Sequence, residues 1–535
     1  MRHLFWVTRL FFYYFCDMFV RKKKNRSGST SVIVVEKTSN KYKEHITIGI
    51  SSDENEIEGL VEQGKEWIRK YQSRHSPELD LYGEETEAKR KEVENTRRFL
   101  SNIENILLNG DQLILDRIFD KVGFNQIEDD VFRRLVQSRL SCPSSKAATA
   151  EYLKNHFDED LDLSKIYRYL DKLNHTQQDK VQDISVHHTR RLLGGNIGVM
   201  FYDVTTLYFE ADREDELRKT GFSKEGRHKN PQIILGLLVS LNGYPLAYCI
   251  HEGNKYEGHT MMPVIEEFVR KYNLEDFVIV ADSGLMNEQN ILDMEENGYK
   301  YIIGAKIKNE SKSIRRWILE QEKVDRQMHE YDKGNGRRLL VGYTADRAKK
   351  DAYNREKGVR RLEKSYRRGK LTKESINKRG YNKFLDMKNE VEISINYEKI
   401  AEDAAWDGLK GYLTNTDLPT DKIYEAYHNL WTVELAFRIA KSKIEVRPMF
   451  HFTKKRIEAH ICICFVALKV YKELDRILKL NNINMSVDKV LRMAKTITTL
   501  QIRLPLNNEV ISKVMIMKRH KVIERLFNEN FWVTQ

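Results

Sequence analysis

The strongest constraint in this sequence is an alternation of short apolar runs with amphipathic stretches between Gly194 and Ala305. The runs are short and rich in β-branched and aromatic residues, which predicts strands. They are IGVMFYDVT, the pair IILGLLVSLNGYPLAYCIHEG, FVIVAD and YKYIIGA. The pair contains Asn242-Gly243, a tight-turn signal. Helical stretches, TMMPVIEEFVRKYN and NEQNILDMEENG, separate the later runs. This order predicts an α/β fold with a mixed sheet.

Two of the predicted strands deliver an aspartate at or near their carboxyl ends. Asp203 stands near the end of IGVMFYDVT, and Asp282 ends FVIVAD. Carboxylate oxygens are the ligands that hard divalent ions prefer. If a helix adds a third carboxylate, a sheet of this kind can hold two divalent ions for phosphodiester cleavage.

The stretch from Ile423 to Lys441, IYEAYHNLWTVELAFRIAK, supplies such a carboxylate. It lacks Gly and Pro, so we predict one helix of about five turns. On that helix Tyr427, Glu434, Arg438 and Lys441 fall within a sector of roughly 60°. A carboxylate flanked by cations suits a groove that holds metal and phosphate together. The alternative is a solvated ion pair between Glu434 and Arg438, four residues apart.

The sequence resembles a known family, the DDE transposases of bacterial insertion sequences, and within it the insertion sequence family four group. Tyr427, Glu434 and Lys441 match its tyrosine-arginine-glutamate-lysine signature. The similarity extends from about Met18 and is most specific from Val199 to Leu468. It includes FYDVTTLYFE, GFSKEGRHKNPQIILGLLVS, DGLKGYLTNT and SKIEVRPMFHFTKKRIEAHICICFVAL.

The signature's arginine position is occupied by Leu430, so the phosphate contact that it implies cannot be made there. Arg438 follows Glu434 by four residues and would lie on the same helical face. We therefore expect Arg438, together with Lys441, to contact the phosphates of the DNA, with Tyr427 as a third DNA-binding residue.

The resemblance implies a ribonuclease-H-like core in which Asp203, Asp282 and Glu434 are the catalytic and metal-binding residues. It implies two Mg²⁺ ions, for which Mn²⁺ can substitute, and cut-and-paste transposition. Water first frees a 3′-hydroxyl, which then attacks the opposite strand or the target, and family members commonly pass through a hairpin at the transposon end. The implied partner is double-stranded DNA, as transposon ends and target, bound by a homodimer on paired ends in the bacterial cytoplasm, at the nucleoid.

The same reading divides the chain into seven regions. They are an upstream extension (1–17), a β-hairpin region (18–52), a helical DNA-end-binding region (53–190), the first part of the core (194–305), an insertion domain (306–405), the second part of the core with the Glu helix (406–450) and a helical C-terminal region (451–535). Three alternatives stay open from the residues. The hairpin either binds DNA or is structural; the helical region either reads DNA ends or braces the core; the insertion is either a phosphate-facing or a solvated basic surface.

Composition and further motifs limit the other classes of function. Lys and Arg number 91 against 79 Asp and Glu, a formal net charge of +12, which suits a polyanionic partner. The five cysteines are odd in number and lack CxxC spacing, so neither a disulfide framework nor a zinc site is indicated. No GxGxxG or Walker loop is present, which leaves nucleotide triphosphate use without support.

The first 20 residues, MRHLFWVTRLFFYYFCDMFV, are the one candidate for membrane insertion. Arg9 and Asp17 interrupt this run, and its uninterrupted part is too short to span a bilayer. We expect no membrane association. We interpret residues 1–17 as an extension upstream of a true start at Met18. Deletion of residues 1–17 is expected to leave fold and activity unchanged.

Two other functions stay in competition with transposition. One is a nuclease on the same fold that hydrolyses DNA without joining it. The other is an inactive DNA-binding remnant of a transposase, against which the presence of all three of Asp203, Asp282 and Glu434 argues.

Overall fold

The computed structural model describes residues 17–38, 41–75, 87–173, 175–211, 213–222, 226–227, 229–372, 375–377, 380–388, 392–447, 449–505 and 507–533. Nearly all of the predicted extension, residues 1–16, lies outside this set. The chain forms two compact units. The N-terminal unit consists of Met1–Asn105 and Gln501–Ile511, and the large unit of Ile106–Leu500 and Ser512–Gln535.

The strands and helices are numbered in chain order. The strands are β1 (Asp17–Lys24), β2 (Thr30–Thr38), β3 (Lys41–Ser51), β4 (Ile103–Leu107), β5 (Val199–Tyr208), β6 (Gln232–Ser240), β7 (Pro245–Glu252), β8 (Val278–Ala281), β9 (Lys300–Ala305), β10 (Met328–Gly334), β11 (Arg337–Tyr343), β12 (Leu385–Lys388), β13 (Glu392–Ile395), β14 (Leu409–Thr414), β15 (Thr498–Arg503) and β16 (Val510–Met515). The helices are α1 (Glu54–His75), α2 (Glu87–Ser101), α3 (Gly110–Val122), α4 (Asp130–Ser141), α5 (Lys146–Phe157), α6 (Leu163–Lys172), α7 (His175–Leu192), α8 (Met261–Tyr272), α9 (Glu288–Glu296), α10 (Lys312–Glu320), α11 (Ala345–Arg367), α12 (Tyr397–Ala404), α13 (Thr420–His428), α14 (Trp431–Ser442), α15 (Lys454–Leu480), α16 (Val487–Ala494) and α17 (Glu529–Val533).

The N-terminal unit is built on an antiparallel sheet in the order β1-β2-β3. The predicted hairpin corresponds to β2 and β3, whereas β1 was not predicted from the sequence. Helix α1 covers one face of the sheet: the Leu60 side chain fills the space above Gly49, and Val20 lies against Gly64. A Cβ atom at either glycine would lie under 3.0 Å from these side chains, so the absence of a side chain permits close packing.

The large unit contains an eight-stranded mixed sheet in the order β10-β11-β14-β9-β8-β5-β6-β7. Strands β5, β6 and β7 form an antiparallel meander, which turns at Gly243 with a φ of +72° after β6. Strands β8 and β9 run parallel to β5 and to each other. The mixed sheet of an α/β protein, predicted from the alternation of runs, is therefore confirmed.

The stretch from 306 to 405 does not stand wholly apart from this sheet. Its strands β10 and β11 extend the sheet beyond β14, which pairs antiparallel with β9. The rest of the stretch carries the β12-β13 hairpin and helices α10, α11 and α12, with a small core of Leu362, Phe384 and Leu385. Part of the predicted insertion thus belongs structurally to the sheet.

Side chains alternate between two hydrophobic cores, one on each face of the sheet. On β5, Phe201 and Leu207 belong to the core that includes α13, α14 and α15, whereas Met200, Tyr202 and Val204 belong to the core under α8 and α9. Period-two alternation explains this division. It also decides which polar side chains of the strands face α14.

Helices α3 to α7 pack around α15, the longest helix. Phe132 of α4 and Leu153 of α5 lie in the same core as Ile461 and Phe465 of α15. This packing is expected if the predicted helical region, residues 53–190, braces the core. Whether that region also reads DNA ends stays a prediction.

The prediction of one continuous helix from Ile423 to Lys441 is wrong. Helix α13 ends at His428, and α14 begins at Trp431. Across the break, backbone bonds run from Leu430 N to Tyr427 O (3.0 Å) and from Thr432 N to Asn429 O (2.9 Å), a tighter three-residue spacing. Asn429 is a weak helix former, and Leu430 is held in the core with only 7% of its surface exposed. Tyr427 and Glu434 therefore do not share the sector of a single helix.

Among the helices that the structure describes, none combines the length and apolar character needed to cross a membrane.

A buried ionic group ties α15 to the sheet. Glu473 is fully buried and accepts hydrogen bonds from Tyr244 Oη (2.9 Å) and from Arg476 Nη2 (2.7 Å). His188 Nε2 lies 3.7 Å from the same carboxylate. Burial acts to raise the pKa of Glu473, but the bonds from Arg476 and His188 outweigh it and hold the pKa at about 2.

We expect Glu473→Ala to lower the free energy of unfolding by about 3–5 kcal/mol, because Arg476 and Tyr244 lose a buried partner. Urea titration of the full chain measures this. The carboxylate's contribution should be complete above its ordinary pKa of 4.5 and be lost as the pH falls towards 2, since its folded pKa is depressed. Lys479→Ala removes an exposed cation from the same helix and should cost under about 1 kcal/mol. Equal losses for the two variants would contradict the assignment.

Candidate active site

The parallel register of β5 and β8 brings two aspartates side by side. The paired residues run from Val199 with Val278 to Tyr202 with Ala281. Asp203 and Asp282 each follow this last pair. Since neighbouring strands lie about 4.8 Å apart, the two residues start from adjacent backbone positions. Asp203 stands in the middle of β5 rather than near its end, but it is the first residue beyond the edge of β8.

Both aspartates follow core residues that lie under α14. Phe201 and Val280, two residues earlier on each strand, belong to that core. Alternation directs Asp203 and Asp282 to the same face. Asp203 is half-buried and Asp282 is exposed, so this edge of the sheet opens to solvent.

Tyr427 fixes the orientation of the Asp282 carboxylate. Its hydroxyl donates a hydrogen bond of 2.9 Å to Asp282 Oδ1, although only 4% of the residue's surface is exposed at the end of α13. Burial raises the pKa of Tyr427, and the negative charge of Asp282 raises it further. The hydroxyl therefore stays protonated and remains a donor at neutral pH.

Gly304 on β9 makes room for this hydroxyl. A Cβ atom at position 304 would lie 2.6 Å from Tyr427 Oη and 3.1 Å from the backbone nitrogen of Ser283. Because no side chain is present, the ring tip can cross β9 and reach Asp282 on β8. The sequence gives no direct sign of this, since the glycine is remote from Tyr427 along the chain.

Lys410 on β14 adds a cation that the sequence reading missed. Its Nζ lies over the Tyr427 ring, 4.4 Å from the centroid. Burial lowers the pKa of Lys410 and so does Arg347, whereas the carboxylates of Asp282 and Glu434 act in the opposite direction. Lys410 therefore sits within electrostatic reach of two of the three predicted carboxylates.

Glu434 lies in the first turn of α14, which packs against β5 and β6. Val433 and Phe437 are buried and orient the helix, and this leaves Glu434 exposed. The amino end of a helix favours a carboxylate. Its negative charge acts to raise the pKa of both Lys410 and Tyr427, as the charge of Asp282 does.

The three carboxylates supply oxygen ligands of the kind that Mg²⁺ and Mn²⁺ prefer. In the part of the chain that the structure describes, no group of three or more His, Cys, Asp or Glu side chains is arranged as a metal site. The carboxylates are therefore chemically suitable ligands for a divalent ion, but the described side chains are not arranged around a common ion position. The ammonium group of Lys410 acts electrostatically on two of the three carboxylates in this arrangement.

The two predicted phosphate contacts differ in their surroundings. Arg438 is exposed, and its guanidinium group has no hydrogen bond or ion pair with any described residue, Glu434 included. The predicted alternative of an ion pair between Glu434 and Arg438 is therefore not formed here. Lys441 lies one turn further along α14 and is half-buried.

Comparison with known proteins decides the family. The family model described as "Transposase DDE domain" matches residues 182–469, from within α7 to within α15, and covers all of the side chains above. The chain belongs to the DDE transposase family.

Comparisons of this transposase with curated proteins and with solved structures give weaker similarities. No curated protein matches its sequence significantly. A solved structure titled "Cryo-EM structure of piggyBac transposase synaptic complex with hairpin DNA (SNHP)" aligns with 72% of this chain and 79% of its own. The identity is 9% and the TM-score is 0.38.

An arginine stack lies at the far end of the strand that carries Asp203. The guanidinium carbons of Arg227 and Arg447 each lie 4.1 Å from the centroid of the Tyr208 ring. Two groups at that distance cannot share one face, so they cover opposite faces of the ring. Tyr208 is five residues from Asp203, about 16 Å along an extended strand. The two arginines come from GFSKEGRHKNPQ and SKIEVRPMF, which the sequence reading left without a role.

We expect Gly304→Ala to destabilise the transposase by about 1–3 kcal/mol, because the new methyl group meets the Tyr427 hydroxyl. In a Tyr427→Phe background that cost should shrink, since the closest contact is gone. Urea unfolding of the four chains of this double-mutant cycle measures the coupling. Gly198→Ala is the matched control, because its Cβ would have no atom within 4 Å. Strictly additive costs would show that Gly304 does not serve Tyr427.

Proposed function

We propose that this transposase binds the ends of an insertion sequence of the family four group and catalyses cut-and-paste transposition by metal-dependent cleavage and strand transfer. The observation that carries the proposal is that Asp203 and Asp282 come from adjacent strands, on the face of the sheet under α14, and that Glu434 lies in the first turn of that helix. We take these three carboxylates as one group. The hydrogen bond from Tyr427 to Asp282 and the nearby cations give that group the character of a phosphate-binding site.

The strand order supports a ribonuclease-H-like core. From the β7 edge, the order β7-β6-β5-β8-β9 consists of an antiparallel meander followed by two strands parallel to its first member. Asp203 comes from the first strand of that meander, and Asp282 from the neighbouring parallel strand. This is the arrangement that the family resemblance implies for the first two carboxylates.

Asp203, Asp282 and Glu434 would hold two Mg²⁺ ions, or Mn²⁺ in their place, whose chemistry when bound is to activate a water or sugar hydroxyl and to stabilise the leaving oxygen. Tyr427 keeps Asp282 oriented by donating a hydrogen bond to one of its oxygens, which leaves the other oxygen available as a ligand. Lys410 offsets part of the negative charge of Asp282 and Glu434. Neither residue transfers a proton in this proposal.

Arg438 and Lys441 would hold the phosphates of the transposon end beside the carboxylates. A guanidinium group offers two parallel N–H donors to a phosphate, a geometry that an ammonium group cannot copy. Leu430 leaves the signature's own arginine position without a cation, and Arg438 is an exposed arginine one turn beyond Glu434 on the same helix. Since no described residue pairs with its guanidinium group, its donors are available to DNA.

The order of reaction steps follows the family. Water attack frees a 3′-hydroxyl, which attacks the opposite strand or the target, with a hairpin at the transposon end as the expected intermediate. The substrate is double-stranded DNA, and we propose a homodimer that holds two paired ends. Hydrolysis without joining would instead indicate the nuclease alternative, and DNA binding without cleavage would indicate an inactive remnant.

We expect Asp203→Asn, Asp282→Asn and Glu434→Gln each to abolish DNA cleavage while DNA binding survives. Each change removes a charged ligand oxygen and leaves the cationic surface intact. Cleavage and strand transfer are measured on paired-end DNA with Mg²⁺, and binding by fluorescence anisotropy without the ion. Asp276→Asn changes an exposed aspartate in the loop before β8 and should retain cleavage. Cleavage by Asp282→Asn near the wild-type rate would overturn the assignment.

In Arg438→Ala we expect the slope of log K, where K is the DNA-binding constant, against the logarithm of the salt concentration to fall by about one unit, since one phosphate contact is lost. Arg438→Lys should impair cleavage nearly as much as Arg438→Ala, because the bidentate fork is lost in both. Arg270→Ala removes an exposed arginine from α8, on the opposite face of the sheet, and is the matched control. An unchanged salt slope in Arg438→Ala would make Arg438 structural.

A further inference from the structure

The tip of the β1-β2 hairpin in the N-terminal unit concentrates positive charge. We call this the basic hairpin and define it by five cations on the end of β1 and in the following turn: Arg21, Lys22, Lys23, Lys24 and Arg26. All five residues are exposed. They fall within six consecutive positions, 21–26, which is dense even for a chain with a net charge of +12.

Strand alternation distributes these cations over both faces of the sheet. In the register of β1 with β2, Arg21 lies opposite Ile33 and Lys23 opposite Ser31, and both point away from α1. Lys22 and Lys24 lie on the other face, beyond the point where Val20 meets α1. A sheet edge with cations on both faces can meet phosphates on both sides of a groove.

The turn that presents the cations is well ordered by its own hydrogen bonds. The Asn25 backbone nitrogen donates to Ser29 O (2.9 Å), and the Asn25 side-chain amide donates to Ser29 Oγ (3.1 Å) and to Ser31 Oγ (2.8 Å). Gly28 adopts a φ of +83°, which residues with a side chain rarely adopt. A turn fixed in this way loses little conformational entropy when its cations bind a ligand.

Neighbouring acidic groups do not neutralise this surface. Lys23 reaches Glu44 at 3.4 Å, but both side chains are more than half exposed, so the pair contributes little. In contrast, cations on α1 pair with acids of the same helix, as Lys65 does with Glu62 and Lys70 with Glu66. The basic hairpin therefore carries an excess of charge that the helices of the same unit lack.

The aromatic side chains near the hairpin are engaged with each other. Phe19 and Tyr42 meet edge to face with centroids 6.2 Å apart, and Arg21 lies over the Tyr42 ring at 5.6 Å. Recognition of single-stranded RNA commonly uses open aromatic faces on which bases stack. Phe19 and Tyr42 are 40% and 54% exposed, but Arg21 already lies over the Tyr42 ring, so the cations rather than the rings form the binding surface.

We propose that the basic hairpin is a DNA-binding element that contacts the phosphate backbone of double-stranded DNA. This goes beyond the catalytic site, because it assigns a DNA contact to the unit that lacks Asp203, Asp282 and Glu434. It rests on the proposed function only in taking duplex DNA as the ligand. The hairpin's contribution is electrostatic and independent of base sequence.

The test removes the charges from the full-length chain as R21Q/K22Q/K23Q/K24Q/R26Q, in an Asp203→Asn background that keeps the DNA intact. A fluorescent 30-base-pair duplex is titrated by anisotropy at several salt concentrations without divalent ions. Each lost phosphate contact reduces the slope of log K against log salt by about 0.9, so loss of two to five contacts predicts a fall of about 2 to 4.5. Unchanged affinity and slope would overturn the proposal.

The matched control removes five exposed cations from the helices of the same unit, as K65Q/R69Q/K70Q/R97Q/R98Q. It should change the slope by under about one unit. A fall equal to that of the hairpin variant would show that net charge, not the hairpin, controls binding, and would overturn the proposal. If the full-length chain with its hairpin unmodified binds a single-stranded RNA of equal length more tightly than the duplex DNA, the proposal is also overturned.

Circular dichroism melting checks that the hairpin variant folds. If it does not, Lys22→Gln and Lys24→Gln are titrated singly, each with an expected fall in slope of about one unit, and two unchanged slopes reject the proposal. The outcome is separable from that of the catalytic proposal. Loss of binding in the hairpin variant with normal cleavage in Asp282→Asn would support the hairpin and reject the carboxylate assignment.

Discussion

The hydrogen bond between the Tyr427 hydroxyl and Asp282 holds the candidate site together. It connects the end of α13 to the edge of β8 across β9, and only a residue without a side chain at position 304 permits that path. Directly after Tyr427 the chain turns at Asn429 and Leu430, and α14 begins at Trp431. Glu434 follows in the first turn of α14. Tyr427, which orients the second carboxylate, and Glu434, which supplies the third, thus lie on two helices joined by this short turn.

A cation on β14 offsets part of the negative charge of two of the three predicted carboxylates. Lys410 is partly buried against the Tyr427 ring, and its ammonium group acts on Asp282 and Glu434. Divalent ions would add positive charge to the same place, so Lys410 and the ions would compete for the carboxylates.

Much of the sheet could be predicted from the sequence, because buried strands need apolar runs and β5, β6, β7, β8 and β9 each have one. The placement of Asp203 on one strand and of Asp282 directly after another could be predicted for the same reason, whereas their catalytic role stays a prediction. The break at Asn429 could not be found, since it depends on burial of Leu430 against distant elements rather than on local propensity. Lys410 and Gly304 approach Tyr427 only through the order of strands. Strand β1 was missed because its charged second half, Arg21 to Lys24, lacks the apolar alternation of a strand.

The central claim is that Asp203, Asp282 and Glu434 share divalent ions, and direct measurement of metal binding tests it without relying on catalysis. Mn²⁺ is titrated into the full-length chain and followed by electron paramagnetic resonance, which counts bound ions and detects magnetic coupling between them. The account predicts two ions per chain, coupled because they lie about 3.5–4 Å apart, and loss of that coupled pair in Asp282→Asn. A coupled pair that persists unchanged in Asp282→Asn, or no specific binding by the unmodified chain, would contradict it.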